Sequence, residues 1–200
     1  MSGGGLLKVV VTEELWGAEE KRVFSSLWKS PAPLKVVAFT WKVLLNWVPI
    51  KANLALRNVH GPEEPTLCMM CNVVVESSNH LFLHCIFASS VWSSLMTLLD
   101  YYFLIPPNLF VHWECWSGRA GNKNRLRGLW MIWLTTIWVV WNARNDKIFK
   151  GINHEVEQIV EEVKFLSWRW VLKRMNISVC LYYEWCWNPI ICHERVRMRV

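Results

Sequence analysis

Aspartate is almost missing from this 200-residue chain: Asp100 and Asp146 are the only two, far apart and without an acidic neighbour. Two-metal phosphoryl transfer, in polymerases and nucleases alike, rests on clusters of carboxylates that hold both ions. No paired-aspartate motif and no such cluster is present. The Glu63-Glu64 and Glu161-Glu162 pairs read more simply as loop and helix surface. A Gly-rich phosphate loop, a G-x-S-x-G elbow and an H-E-x-x-H helix are absent as well. Enzymatic activity is therefore not expected.

The sequence also lacks a secretory signal. Its start, Met1-Ser-Gly-Gly-Gly-Leu-Leu, has neither the charged n-region nor the long apolar h-region of one, so the mature chain is expected to begin there. The longest apolar run, Leu129 to Trp141, is interrupted only by Thr135 and Thr136. It falls short of the roughly 20 residues needed to span a bilayer, and Arg125, Arg127 and Arg144 close it in. A buried helix is expected there, not a membrane anchor. Cysteines number seven, an odd count that points to a reducing, intracellular setting and to ligand use more than to a disulfide framework.

Apolar residues make up 53% of the chain and charged ones 19%, a balance that excludes disorder and demands a buried core. Net charge is +6, which permits contact with nucleic acid without requiring it. The 15 tryptophans are far above ordinary usage. Indoles can stack on unpaired bases. Most of these, however, fall at helical spacing among Leu and Val, as core anchors do.

The most informative stretch runs from Cys68 to Cys85 and has the form C-x2-C-x8-H-x4-C, with Cys68, Cys71, His80 and Cys85 as candidate ligands. A C-x-x-C turn lets two thiolates converge on one ion, and Zn2+ prefers four such soft or borderline donors in a closed tetrahedron. A lone C-x-x-C also fits a redox pair, but that chemistry needs a preceding strand, and Pro62 and Pro65 stand where the strand would be. His84 is the rival imidazole; because it adjoins Cys85, both cannot easily reach one ion, and His80 is the expected ligand. On a straight helix His80 and Cys85 would lie about 140° apart, so the helix must bend or pause near Cys85. Cys180, Cys186, Cys192 and His193 match no common metal spacing.

Residues around this stretch carry a family resemblance. Glu76, His80-Leu81-Phe82, Cys85 and Trp92 following the C-x-x-C resemble the zinc-binding domain that follows the polymerase in the reverse transcriptases of plant LINE-type (non-LTR) retrotransposons. Upstream, Phe24, Trp28, Pro33, Lys35, Phe39, Trp41, Asn53, Leu54 and Arg57 are similar to its F…W…P-x-K…F-x-W…N-L-x-x-R pattern. Downstream, Trp138, Trp141, Arg144-Asn145 and Ile148-Phe149 resemble its W-x-x-W-x-x-R-N-x-x-I-F segment, and Trp185 to Cys192 its W-C-x-N-P end. The chain departs from the family at Ile50, where Thr is usual and would cap a helix, and at Ile86, where Pro is frequent.

The resemblance implies a structural Zn2+ and binding of RNA or DNA, beside a separate reverse transcriptase polypeptide, with the nucleus suggested by association. No small-molecule substrate is expected. Lys35, Lys42, Arg57, Arg125 and Arg127 are the candidate phosphate contacts. Two rival readings remain at this point: a protein-docking module using the Trp-rich helices, and a decayed element fragment without a function.

The expected fold is mostly α: a small zinc-knuckle domain with flanking helices and a Trp-rich helical extension. Residues 1–20 read as a poorly ordered arm and 21–105 as the zinc-binding domain. A helix face runs from Val36 to Trp47, and a short helix follows over Lys51 to Arg57. Ser77 or Ser78 is placed to cap a helix carrying His80. Trp113 to Asn124 reads as a loop at the domain boundary. Residues 123–173 are expected as a helical hairpin, one helix ending at Gly151 and the next capped by Asn153. Residues 174–200 form a tail with no assigned structure.

Overall fold

The structure is a computed structural model that describes residues 16–59, 66–118, 120–175 and 180–194. Nine α-helices and one π-helical turn follow in order among the described residues. These are α1 (Ala18–Lys29), α2 (Leu34–Leu44), α3 (Lys51–Leu56), the π-turn (His80–His84), α4 (Ile86–Leu98), α5 (Leu109–Ser117), α6 (Lys123–Lys150), α7 (Val156–Arg174), α8 (Tyr182–Trp187) and α9 (Pro189–Glu194). No strand longer than the single Leu67–Val75 bridge occurs among them. The mostly helical class expected from periodicity is the class observed.

Helix α6 is the axis of the molecule. Every residue from Gly128 to Ile137 is buried, so its apolar stripe widens to a full circumference mid-helix. Helices α2, α5, α7 and α9 and the π-turn all pack on it. The buried apolar side chains form one cluster from Val23 to Cys192. The knuckle segment and the helical extension thus share a core. No helix among the described residues is long and apolar enough to cross a membrane.

Tryptophan supplies much of that core, and most of its buried indole N–H groups find an acceptor, Trp185 Nε1 being an exception. Trp113 Nε1 donates to Ser26 Oγ (2.9 Å), Trp116 Nε1 to the Leu129 carbonyl (2.8 Å) and Trp130 Nε1 to Ser117 Oγ (2.9 Å). Trp133 Nε1 donates to His112 Nδ1 at 2.7 Å. That bond makes Nδ1 an acceptor, so the His112 ring is neutral, and burial holds its pKa down at about 3. These contacts tie α1, α5 and α6 together.

Several local expectations change. Trp113 to Ser117 is helical, not loop: Asn108 caps α5 by accepting the Val111 N–H, and aromatic packing sustains a helix that the following glycines had masked. Asn153 does not cap α7. That helix starts at Val156 with Glu155 as N-cap, where Gln158 Oε1 accepts the Glu155 N–H. Residues 18–20 of the expected arm are helical, since α1 begins at Ala18 and Glu20 accepts the Gly17 N–H; residues 1–15 lie outside the described residues, as do 60–65 of the loop before the knuckle.

In the tail, α8 and α9 fold back on α6. Cys180 and Cys192 are joined in a disulfide (Cα–Cα 5.7 Å), against the expectation from the odd cysteine count of ligand use more than disulfides. His193 fills the space left by the missing side chain of Gly128 and meets Trp185 edge-on at 4.9 Å.

Candidate metal centre

The site begins with a tight reversal after Thr66. Cys68 N–H bonds the Val74 carbonyl (2.8 Å), Glu76 N–H bonds the Thr66 carbonyl (2.9 Å), and Asn72 closes the C-x-x-C turn in the left-handed region (φ 55°). Asparagine is among the few non-glycine residues that adopt this conformation readily. Within the turn the backbone N–H groups of Met70 and Cys71 point at Cys68 Sγ. Such donors stabilise a thiolate.

Ser77 Oγ then accepts the His80 N–H (3.1 Å), starting the turn that carries the histidine. The turn is π-helical: Cys85 N–H bonds back to the His80 carbonyl at 2.6 Å, one residue further than an α-helix allows. Cys85 itself is extended (ψ 134°), and α4 starts immediately after it. This break is the pause that the five-residue His80–Cys85 spacing demands. Trp92 Nε1 donates to the Phe82 carbonyl (2.7 Å), holding the turn against α4.

One donor atom from each of Cys68, Cys71, His80 and Cys85 lies within 4.8 Å of the other three. Cys68 Sγ and Cys85 Sγ are 3.9 Å apart, and Cys71 Sγ is 3.3 Å from His80 Nε2. Metal–donor bonds of about 2.3 Å to sulfur and 2.0 Å to nitrogen put the donors of a Cys3His tetrahedron about 3.5–3.8 Å apart, close to the separations seen, so the four suit one zinc ion. Cys68, Cys85 and His80 are buried and Cys71 is half-buried. His84 points elsewhere, its Nε2 bonding the Pro107 carbonyl (3.2 Å).

The Cys68 and Cys85 sulfurs lie at hydrogen-bond distance. The hydrogen bond with Cys85 holds the Cys68 thiol down at about 5, and the same bond, with burial, pushes Cys85 up. A bound cation would favour the thiolate form of each cysteine.

Behind the ligands lies a pair that the sequence reading did not join. Glu76 is fully buried, and Arg144 of α6 grips it with Nη2 to Oε1 at 2.6 Å and Nε to Oε2 at 3.4 Å. The same carboxylate accepts the N–H of Met69, inside the C-x-x-C turn, and of Lys51, at the start of α3. Glu76 thereby does for α3 what a capping side chain at Ile50 would have done. Arg144 also sits 4.9 Å from the Trp141 ring and bonds the Pro49 carbonyl. Both residues belong to the motifs quoted above, but nothing in a spacing of 68 residues signals a contact.

The candidate phosphate contacts do not form one patch. Lys35 and Lys42 are exposed on α2, Lys35 lying 5.2 Å over the Trp138 ring, and Arg57 is exposed just beyond α3. Arg125 and Arg127 are half-buried at the far end of α6, about 15–20 Å along the axis from Trp138 at 1.5 Å per residue.

Residues 12–92 match the family described as zinc-binding in reverse transcriptase. The matched domain is a zinc-binding one, neither a polymerase nor an RNase H. The match contains all four converging side chains and stops within α4. No curated protein and no solved structure matches the chain.

Proposed function

We propose that the chain is a non-catalytic zinc-binding module that binds RNA or DNA, of the kind that accompanies a plant LINE-type reverse transcriptase. The carrying observation is the convergence of three thiols and one imidazole inside the segment that matches the zinc-binding family. Four protein donors leave no open position for a catalytic water, so the ion is structural. It holds the loop over 66–79, which buries little apolar surface of its own, to the buried turn that carries His80. Lys35, Lys42 and Arg57 are the main phosphate contacts, with Arg125 and Arg127 too distant to join them on a short strand.

Docking of a partner protein onto the Trp-rich helices gains little support, because Trp130, Trp133 and Trp141 are buried within the chain.

Elemental analysis tests the metal. About one zinc per chain is expected, lost in Cys68→Ser and His80→Ala and kept in His84→Ala. No zinc in a folded parent chain refutes the reading. Affinity for RNA and DNA should fall steeply as salt rises, through counterion release; binding that salt leaves unchanged would point to an apolar protein interface instead.

A further inference from the structure

Most tryptophans of this chain are buried or half-buried, yet two well-exposed ones stand together. Trp28, in the last turn of α1, is 50% exposed, and Trp47, just after α2, is 55% exposed. The half-buried Trp41 lies between them, its ring centroid 6.4 Å from that of Trp28 and 5.5 Å from that of Trp47. Leu34, two helical turns before Trp41 and so on the same face of α2, is exposed as well. Three neighbouring indoles open to water are a costly arrangement for a surface with no partner.

The segment of chain that carries them has charge of one sign. From Lys21 to Pro62 the chain carries Lys21, Arg22, Lys29, Lys35, Lys42, Lys51 and Arg57 and not one aspartate or glutamate. Lys29 adjoins Trp28, and Lys42 adjoins Trp41. Among the described residues no carboxylate forms an ion pair with Lys29, Lys35 or Lys42. An apolar protein partner would not call for an all-cationic rim, whereas a polyanion would. A duplex offers phosphates but keeps its base faces stacked inside; a single strand offers both phosphates and base faces.

We propose that Trp28, Trp41 and Trp47, with Lys29, Lys35 and Lys42, form a binding surface for single-stranded nucleic acid, bases against indoles and phosphates against the lysines. This rests on the nucleic-acid reading given above and supplies its surface. The segment leading to His80 is bonded to the loop that carries Trp47. Ser78, two residues before His80, donates to Asn46 Oδ1 (2.7 Å), and Asn53 Nδ2 donates to the Asn46 and Val48 carbonyls (2.6 and 2.9 Å), fixing the loop that presents Trp47.

The test is fluorescence anisotropy with the zinc-loaded full chain and labelled polyuridine and polydeoxythymidine strands of about 12 nucleotides, with a duplex of the same length beside them. Trp28→Ala and Trp47→Ala should each weaken single-strand binding about ten-fold or more, since a stacked base contributes that much. Trp47→Phe should restore most of it, and Phe165→Ala, removing an exposed ring of α7, should change nothing. Lys42→Ala should lower the salt slope by about one. Zinc content and thermal melting of each variant report that the fold is intact.

Single-strand binding that survives both Trp→Ala changes overturns the surface and leaves the nucleic-acid reading standing. Duplex binding as tight as single-strand binding, indifferent to the tryptophans, does the same. If the parent chain binds neither strand at low salt, both readings fall. A tryptophan emission shift with anionic phospholipid vesicles, and none with oligonucleotide, makes the occupant a membrane surface and overturns the proposal.

Discussion

Between Thr66 and His80 the usual burial pattern is inverted: Val73, Val74 and Val75 face water, while Cys68, Glu76, Ser78 and His80 are inside. Along α5 and α6 the pattern is the ordinary one, with Trp113, Trp116, Trp133 and their aliphatic neighbours interlocked and the N–H groups of these three indoles satisfied. Burying polar groups is favourable only when they are paired or bound to metal. The knuckle is thus arranged to be stable with an ion and weak without one, while the helical region stands on apolar burial. The family match covers the first region and stops before the second.

Metal removal should separate the two most sharply. Chelation, or Cys68→Ser, should abolish hydrogen-exchange protection over 66–80 while α6 stays protected, because structural zinc contributes most of the folding free energy of small zinc modules. Equal loss of protection in α6 would mean that the two regions do not differ in this way.

Glu76→Ala tests the bolt between them. Leaving Arg144 buried and unpaired should cost about 3–5 kcal/mol in urea unfolding. Replacing both, with Glu76→Leu and Arg144→Met, should cost clearly less, because no charge then remains uncompensated. A small effect of Glu76→Ala alone would show that water reaches the pair.

Acid should act on the helical side. His112 and His193 are buried with pKa values held near 3 by desolvation, against about 6.5 when unfolded. Below pH about 6.5 the unfolded chain therefore binds protons that the folded chain refuses. Stability should fall as pH drops, by up to about 1.4 kcal/mol per pH unit for each histidine, until pH approaches 3. Near-UV circular dichroism of the tryptophans would report it, and His112→Gln should flatten the slope.

Gly128→Ala should have the smallest effect. The His193 ring occupies the space of the new methyl group, so α9 must shift, at a cost of about 1–3 kcal/mol. Thermal melting measures this. An unchanged midpoint would mean that α9 contributes nothing to the core.

Local chemistry made part of the site legible before any fold was known. The C-x2-C-x8-H-x4-C spacing names four residues that converge, the adjacency of His84 to Cys85 argues against that imidazole, and helix geometry demands a break before α4, which the π-turn supplies. Helix α6 was legible from its periodicity and its glycine stop; Gly151 adopts φ 69°, which few other residues accept without strain. Helix α5 was hidden because the aromatics that stabilise it look the same in a loop. The α7 cap was misread because Asn153 precedes the Glu155/Gln158 pair that caps it.

Ligand type, helix period and turn residues act over a few positions, and the sequence by itself determined them. The Glu76–Arg144 ion pair, the Cys180–Cys192 disulfide, the seat of His193 against Gly128 and the grouping of Trp28, Trp41 and Trp47 were decided only by the tertiary structure. Each joins residues on separate elements, and their meeting depends on how α6 gathers the other helices around itself.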